Sequence, residues 1–87
     1  MIEKTYILQS EAGLHSRNAT LLVKWANKFN SQIKLEYNNI QVDLKSIMNI
    51  LSLGVPKGAK IKILIDGEDS EEAILKIDEV INELNQK

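Results

Sequence analysis

The chain contains no cysteine. That excludes a disulfide framework and thiolate metal sites, and it fits a reducing compartment. One histidine among 87 residues leaves no second imidazole for a zinc site. Aromatic residues make up only 5%, too few to offer a stacking platform for bases. Neither sign of charge dominates: Lys and Arg total 11, Asp and Glu 12, for a net charge of −1. A nucleic-acid binder that works by phosphate neutralisation is therefore not expected. No run approaches the ~20 apolar residues of a membrane span. The opening "MIEKTYILQSE" carries a glutamate at position 3 and lacks the apolar stretch of a signal peptide. A Gly-rich nucleotide loop is missing, and "DGEDSEE" at 66–72 lacks the spacing of a calcium loop. The expectation is a complete cytoplasmic protein with no cofactor, no metal, no membrane insertion and no direct nucleic-acid contact.

What is present reads as one small domain over residues 1–87, with no linker, repeat or low-complexity tract. Residues 2–9 read as a strand that ends before Gly13. Ala19, Leu22, Val23, Ala26 and Phe29 recur at the spacing of a helix with one buried face. "QIKLEYNNIQV" alternates in polarity, and Asn38-Asn39 predicts a two-residue hairpin turn, because Asn tolerates positive φ. The hairpin is expected to bury one face, with Tyr37, Ile40 and Val42 on it. "LKSIMNILSLG" suits a short helix stopped by Gly54. "VPKG" at 55–58 predicts a type I turn with Pro at its second position. In "KIKILID", Ile61, Ile63 and Ile65 share one face. Asp69 and Glu72 have the spacing of a capping box, and Ala73, Ile77, Val80, Ile81 and Leu84 mark a last helix. The order is β-α-β-β-α-β-α. The predicted class is α+β, a two-layer open-faced sandwich: a four-stranded antiparallel sheet with three helices on one face.

The histidine lies in "AGLHSRNAT" at 12–20, just where the first helical pattern begins. A lone His is more often an ordinary surface or core residue. Its position argues for more. Unpaired N–H groups at a helix start form an anion site, and the positive end of the helix dipole disfavours the imidazolium. A neutral imidazole is a nucleophile. A phosphoryl group accepted there would sit against those N–H groups, with Arg17 as a further cation. No nearby acid makes a triad. One nucleophile without substrate apparatus suggests a carrier rather than a complete enzyme.

The chain resembles HPr, the histidine-containing phosphocarrier family of the bacterial sugar phosphotransferase system. The resemblance rests on "AGLHSRNATLLV" with its Gly-Leu-His-x-Arg core, on "FNSQIKLEYN" and on "LKSIMNILSLG", and it runs essentially end to end. It implies a phosphoacceptor role for His15, through Nδ1, and a phosphate-supporting role for Arg17. Enzyme I would charge His15 from phosphoenolpyruvate, and sugar-permease IIA domains would discharge it.

The second motif raises a separate expectation. On a helical wheel Leu44, Ile47, Met48 and Leu51 share one side of "LKSIMNIL", while Ile50 and Leu53 lie on another. The apolar arc exceeds what a two-layer domain can cover, so part of it is expected to remain exposed as a partner surface. Partner contact is expected at Thr20, Leu21, Lys24, Ile47, Met48 and Leu51. Ser46 is a favoured N-cap residue. By resemblance to HPr proteins of low-GC Gram-positive bacteria, it is also the target of HPr kinase/phosphorylase. The phosphorylated form would then recruit catabolite control protein A. A phosphate at a helix start gains from the dipole and alters the charge of the neighbouring patch. The chain is expected to act as a monomer.

Three positions depart from the family pattern. The usual His-Ala-Arg-Pro loop reads His15-Ser16-Arg17-Asn18 here. Asn18 restores a main-chain donor that proline lacks. It either adds to the anion site, the expected outcome, or caps the helix itself and starts it three residues late. Ser16 brings a hydroxyl that either touches the phosphate or competes for the cap. Asn49 stands where Gly is usual, and has the better helix propensity. Asp43 stands where Asn is usual and would modestly oppose a phosphate on Ser46. The rival readings are a regulatory HPr paralogue acting mainly through Ser46, and a small module that binds an anion without covalent chemistry.

Overall fold

The structure is a computed structural model, and it describes residues 1–86. Its elements are β1 (Ile2–Ile7), α1 (Ser16–Ala26), β2 (Gln32–Tyr37), β3 (Ile40–Asp43), α2 (Ile47–Leu53), β4 (Lys60–Asp66) and α3 (Ser70–Asn85). The order is the one the hydrophobic periods predict. The strands form one antiparallel sheet in the order β1-β4-β2-β3, and the three helices complete a two-layer α+β sandwich. Among the described residues no helix is long and apolar enough to cross a membrane.

The register explains the core. Tyr6 pairs with Ile61, Leu35 with Ile63, and Ile33 with Ile65. Directly opposed residues share a face, so these side chains make one apolar row, and all six are buried. Against it pack Leu22 and Ala26 of α1 and Ile77 and Ile81 of α3, all fully buried. Each such Leu or Ile contributes about 1.5–3 kcal/mol by leaving water. Lys60 and Lys62 alternate with the isoleucines and stay on the wet side.

Several local expectations need correction. Ile40 does oppose Tyr37, across Asn38 and Asn39 at φ 53° and 66°. Tyr37 and Val42 pack against the core, however, while Ile40 lies outside it and remains 55% exposed. Phe29 lies past the end of α1, where Asn27 caps the helix by donating from Nδ2 to the Val23 carbonyl at 2.9 Å. The turn at 55–58 is shifted by one residue: the Ala59 N–H bonds the Pro56 carbonyl at 3.2 Å. Gly58 thus occupies the third turn position at φ 89°, a type II requirement. Asp69 precedes α3 but forms no capping box. Its carboxylate instead accepts from Asn30 N–H, Ser31 N–H and the Ser31 hydroxyl, which ties the α1–β2 connection to the start of α3. With three donors from that loop on its oxygens, the carboxylate is engaged away from its own helix.

α2 also differs in detail. Leu44 precedes the helix rather than sharing its face. It is buried, with its N–H bonded to the Ile33 carbonyl at 2.9 Å. Within α2, Ile50 is the residue turned fully into the core. Ile47, Leu51 and Leu53 are half-buried, and Met48 is 75% exposed. The inward sector is therefore centred on Ile50, and Met48 is the residue that the wide apolar arc leaves exposed, as expected.

Candidate functional site

α1 begins where the sequence places the histidine. His15 is the N-cap, in extended conformation at φ −78° and ψ 178°. Its Nδ1 accepts the Arg17 main-chain N–H at 3.2 Å, and its carbonyl accepts from Ala19 at 2.9 Å. An N-cap side chain normally satisfies one orphan donor of the first turn with an oxygen. Here an imidazole nitrogen does so. A nitrogen that accepts carries a lone pair, so in the neutral ring the hydrogen is on Nε2. The helix does not start late at Asn18. That residue lies within the first turn, its side chain buried.

Two contacts hold the loop before His15. Leu14 N–H bonds the Val55 carbonyl at 3.0 Å. Gly13 has φ 65°, and a Cβ there would lie 2.2 Å from the Val55 oxygen. Only glycine suits both the positive φ and the close approach.

The resulting cleft has a volume of about 470 Å³. It brings together six predicted residues: His15, Arg17, Asn18, Thr20, Leu21 and Lys24. Ser16 is exposed at the helix start without lining the cleft. Arg17 is exposed and, among the described residues, has no carboxylate in salt-bridge reach. Its guanidinium is therefore available to an incoming anion. The cleft's own acid, Glu11, is paired with Lys57 Nζ at 2.9 Å, and that hydrogen bond holds its carboxyl below the usual range. The unpaired charge on the lining is thus the cationic Arg17 and Lys24, which suits an anionic group.

Ser10, Glu11 and Leu84 also line the cleft and were not anticipated. Ser10 and Glu11 carry the one available signal, as polar residues close to the His segment. Leu84 carries none, because it reaches the cleft from the far end of the chain.

Ile47, Met48 and Leu51 are not in this cleft. They lie on α2, which packs against α1. Ser46 is the N-cap of α2, its hydroxyl accepting from Asn49 N–H at 3.3 Å. Asp43 turns its carboxylate to the Lys45 N–H at 2.9 Å. Asn49 is exposed beside Met48.

Comparison with known proteins gives a consistent picture. Residues 2–83 match the family model PTS-HPr, described as the PTS HPr component phosphorylation site. HPr-C-His from Thermoanaerobacter tengcongensis is 42% identical with a TM-score of 0.94, the match covering 100% of this chain and 98% of that one. The histidine-containing phosphocarrier protein of Mycoplasma is 36% identical with a TM-score of 0.93, covering 97% of this chain and 96% of that one. Crh, the Bacillus subtilis catabolite repression containing protein, is 34% identical with a TM-score of 0.75, covering 97% of each chain. Its structure is described as a dimer with a swapping domain.

Proposed function

The chain belongs to the PTS HPr family, and on that premise we propose that it accepts a phosphoryl group from phospho-enzyme I on His15 Nδ1 and passes it to sugar-permease IIA domains. The observation that carries this reading is the hydrogen bond from Arg17 N–H to His15 Nδ1. It holds the nitrogen lone pair at the start of α1, where first-turn N–H groups lack helical acceptors. The lone pair attacks phosphorus, and the bond to the donor breaks with its electron pair left on the donor. The Arg17 N–H then has a phosphoryl oxygen as its acceptor in place of Nδ1. The helix N-terminus and the Arg17 guanidinium offset the new negative charge. Ser16 and Asn18 support the phosphate from the same turn, Asn18 through its main-chain N–H. The protein is a carrier: the phosphohistidine is transient, and the chemistry is completed by its partners in the cytoplasm.

Partners dock on the exposed surface that Thr20, Leu21 and Lys24 share with Ile47, Met48 and Leu51. Regulation enters at Ser46, phosphorylated by HPr kinase/phosphorylase and then read by catabolite control protein A. Two negative charges on this residue would stand next to the exposed Met48 and change which partner surface fits. The likeness to Crh supports a second reading, a regulatory paralogue acting mainly through Ser46. Monomeric action belongs to the carrier reading, and light scattering tests it.

The deciding experiment incubates the chain with phosphoenolpyruvate, magnesium and a Gram-positive enzyme I, then measures mass and acid/alkali lability. One acid-labile, alkali-stable phosphate that is lost in His15→Ala is the expected result. Labelling that persists in His15→Ala refutes the assignment. No adduct beside a working control HPr favours the regulatory reading, which HPr kinase labelling of Ser46 then tests.

A further inference from the structure

Asn18 is only 7% exposed, yet it lines the cleft that holds His15. Its carboxamide donates twice: to Ser10 Oγ at 2.9 Å and to the Gly13 carbonyl at 2.9 Å. The Gly13 carbonyl can only accept, which fixes Nδ2 on that side. These acceptors bracket the segment that leads into His15. The same segment is closed by Gly13 N–H to the Ser10 carbonyl at 3.0 Å, and it is pinned on its other side by Leu14 N–H to the Val55 carbonyl. The loop is therefore caught between α1 and Val55, two residues past the end of α2. A carboxamide buried in this way costs stability unless its donors are satisfied. Both of these are.

We propose that Asn18 is a positioning residue for phosphoryl transfer. Its side chain clamps the 10–14 loop onto the first turn of α1, and so sets the angle at which His15 Nδ1 meets the first-turn N–H groups. The proposal rests on the carrier reading of His15. It goes further by assigning the geometry to a side chain that touches neither the nucleophile nor the phosphate. The Asn18 main-chain N–H, in the same turn, stays available as a donor when Arg17 N–H moves from Nδ1 to a phosphoryl oxygen. No proton is gained or lost in that exchange.

The test uses the full chain with Asn18→Ala and Asn18→Asp. The aspartate keeps the volume, but as a carboxylate it has no hydrogen for the Gly13 carbonyl. Initial rates with phospho-enzyme I are measured across carrier concentration and normalised to the folded fraction. The Arg17 amide resonance is followed by NMR. In both variants kcat should fall about tenfold, because a small misplacement of the nucleophile is costly. KM should change by less than about twofold, because the docking surface is untouched. The Arg17 amide resonance should move, since its acceptor geometry is what the clamp sets. If either variant fails to fold, Ser10→Ala removes one of the two acceptors and should give a smaller loss, about threefold. An unchanged kcat together with an unmoved Arg17 resonance overturns the proposal. Should the wild-type chain form no phosphohistidine, the carrier reading falls. The Arg17 resonance still decides the clamp, and an unmoved signal in the variants overturns it.

Discussion

Ile50 and Met48 stand two residues apart on one short helix and should respond to truncation in opposite ways. Ile50 has no exposed surface and is the buried residue of α2. Ile50→Ala removes that anchor and leaves a void in the core where α2 packs against α1 and β3. Core truncations of this kind cost about 2–5 kcal/mol. α2 has seven residues and lies at the border of the core, so it can partly collapse, which favours the lower half, about 3 kcal/mol. For a domain of this size each kcal/mol shifts Tm by about 4–8 °C, so the midpoint should fall by roughly 12–24 °C. Met48 is 75% exposed. Met48→Ala should stay within about 0.5 kcal/mol, a shift of only a few degrees, while weakening enzyme I binding. Thermal unfolding followed by circular dichroism measures the first effect, and titration calorimetry with enzyme I the second. Equal Tm losses in the two variants would refute the assignment of the inward face. Unchanged binding in Met48→Ala would refute the docking role.

Two further outcomes follow from particular contacts. Asp69 is held below the usual aspartate value, chiefly by the Ser31 hydroxyl and then by Asn30 N–H, and Asp78 chiefly by its hydrogen bond from Lys4. Both folded pKa values lie below the ordinary 3.8. Their stabilisation is therefore complete above that value and is lost as pH falls through the lowered folded values. Urea midpoints taken from neutral pH down to about pH 2 should show this acid loss, and Asp69→Asn should flatten it; parallel profiles would contradict the argument. Gly13→Ala places a Cβ 2.2 Å from the Val55 oxygen at a φ of 65°. It should destabilise by about 1–3 kcal/mol and speed hydrogen exchange at the Leu14 amide, while retained protection there would show that the loop can yield.

Residues whose partners are near in sequence were legible. The isoleucines of β4 alternate because a strand has a period of two, and that pattern alone placed Ile61, Ile63 and Ile65 inward. Asn38-Asn39 turned as predicted because positive φ is a local preference. Placing His15 at a helix start required only the onset of the apolar stripe. Polar partnerships were less readable. Asp69 followed by Glu72 has the spacing of a capping box, but the donors that Asp69 accepts from lie 38 and 39 positions away. In "VPKG" the turn moved by one residue because Gly58 N–H also bonds the Leu8 carbonyl at 2.6 Å, fixing the register from outside the turn.

The sequence by itself determined the order of the elements, the faces that avoid water and the histidine at the head of α1, because periodicity and capping act within a few residues. Tertiary structure decided which of α2's apolar residues faces inward, since a wide apolar arc on a short helix leaves its rotation open until the sheet and α1 close on Ile50. It also decided which partners the Asn18 side chain finds. A carboxamide in a first turn can cap, face solvent or reach back, and only the fold that presses the 10–14 loop against Val55 brings Ser10 and Gly13 within its reach.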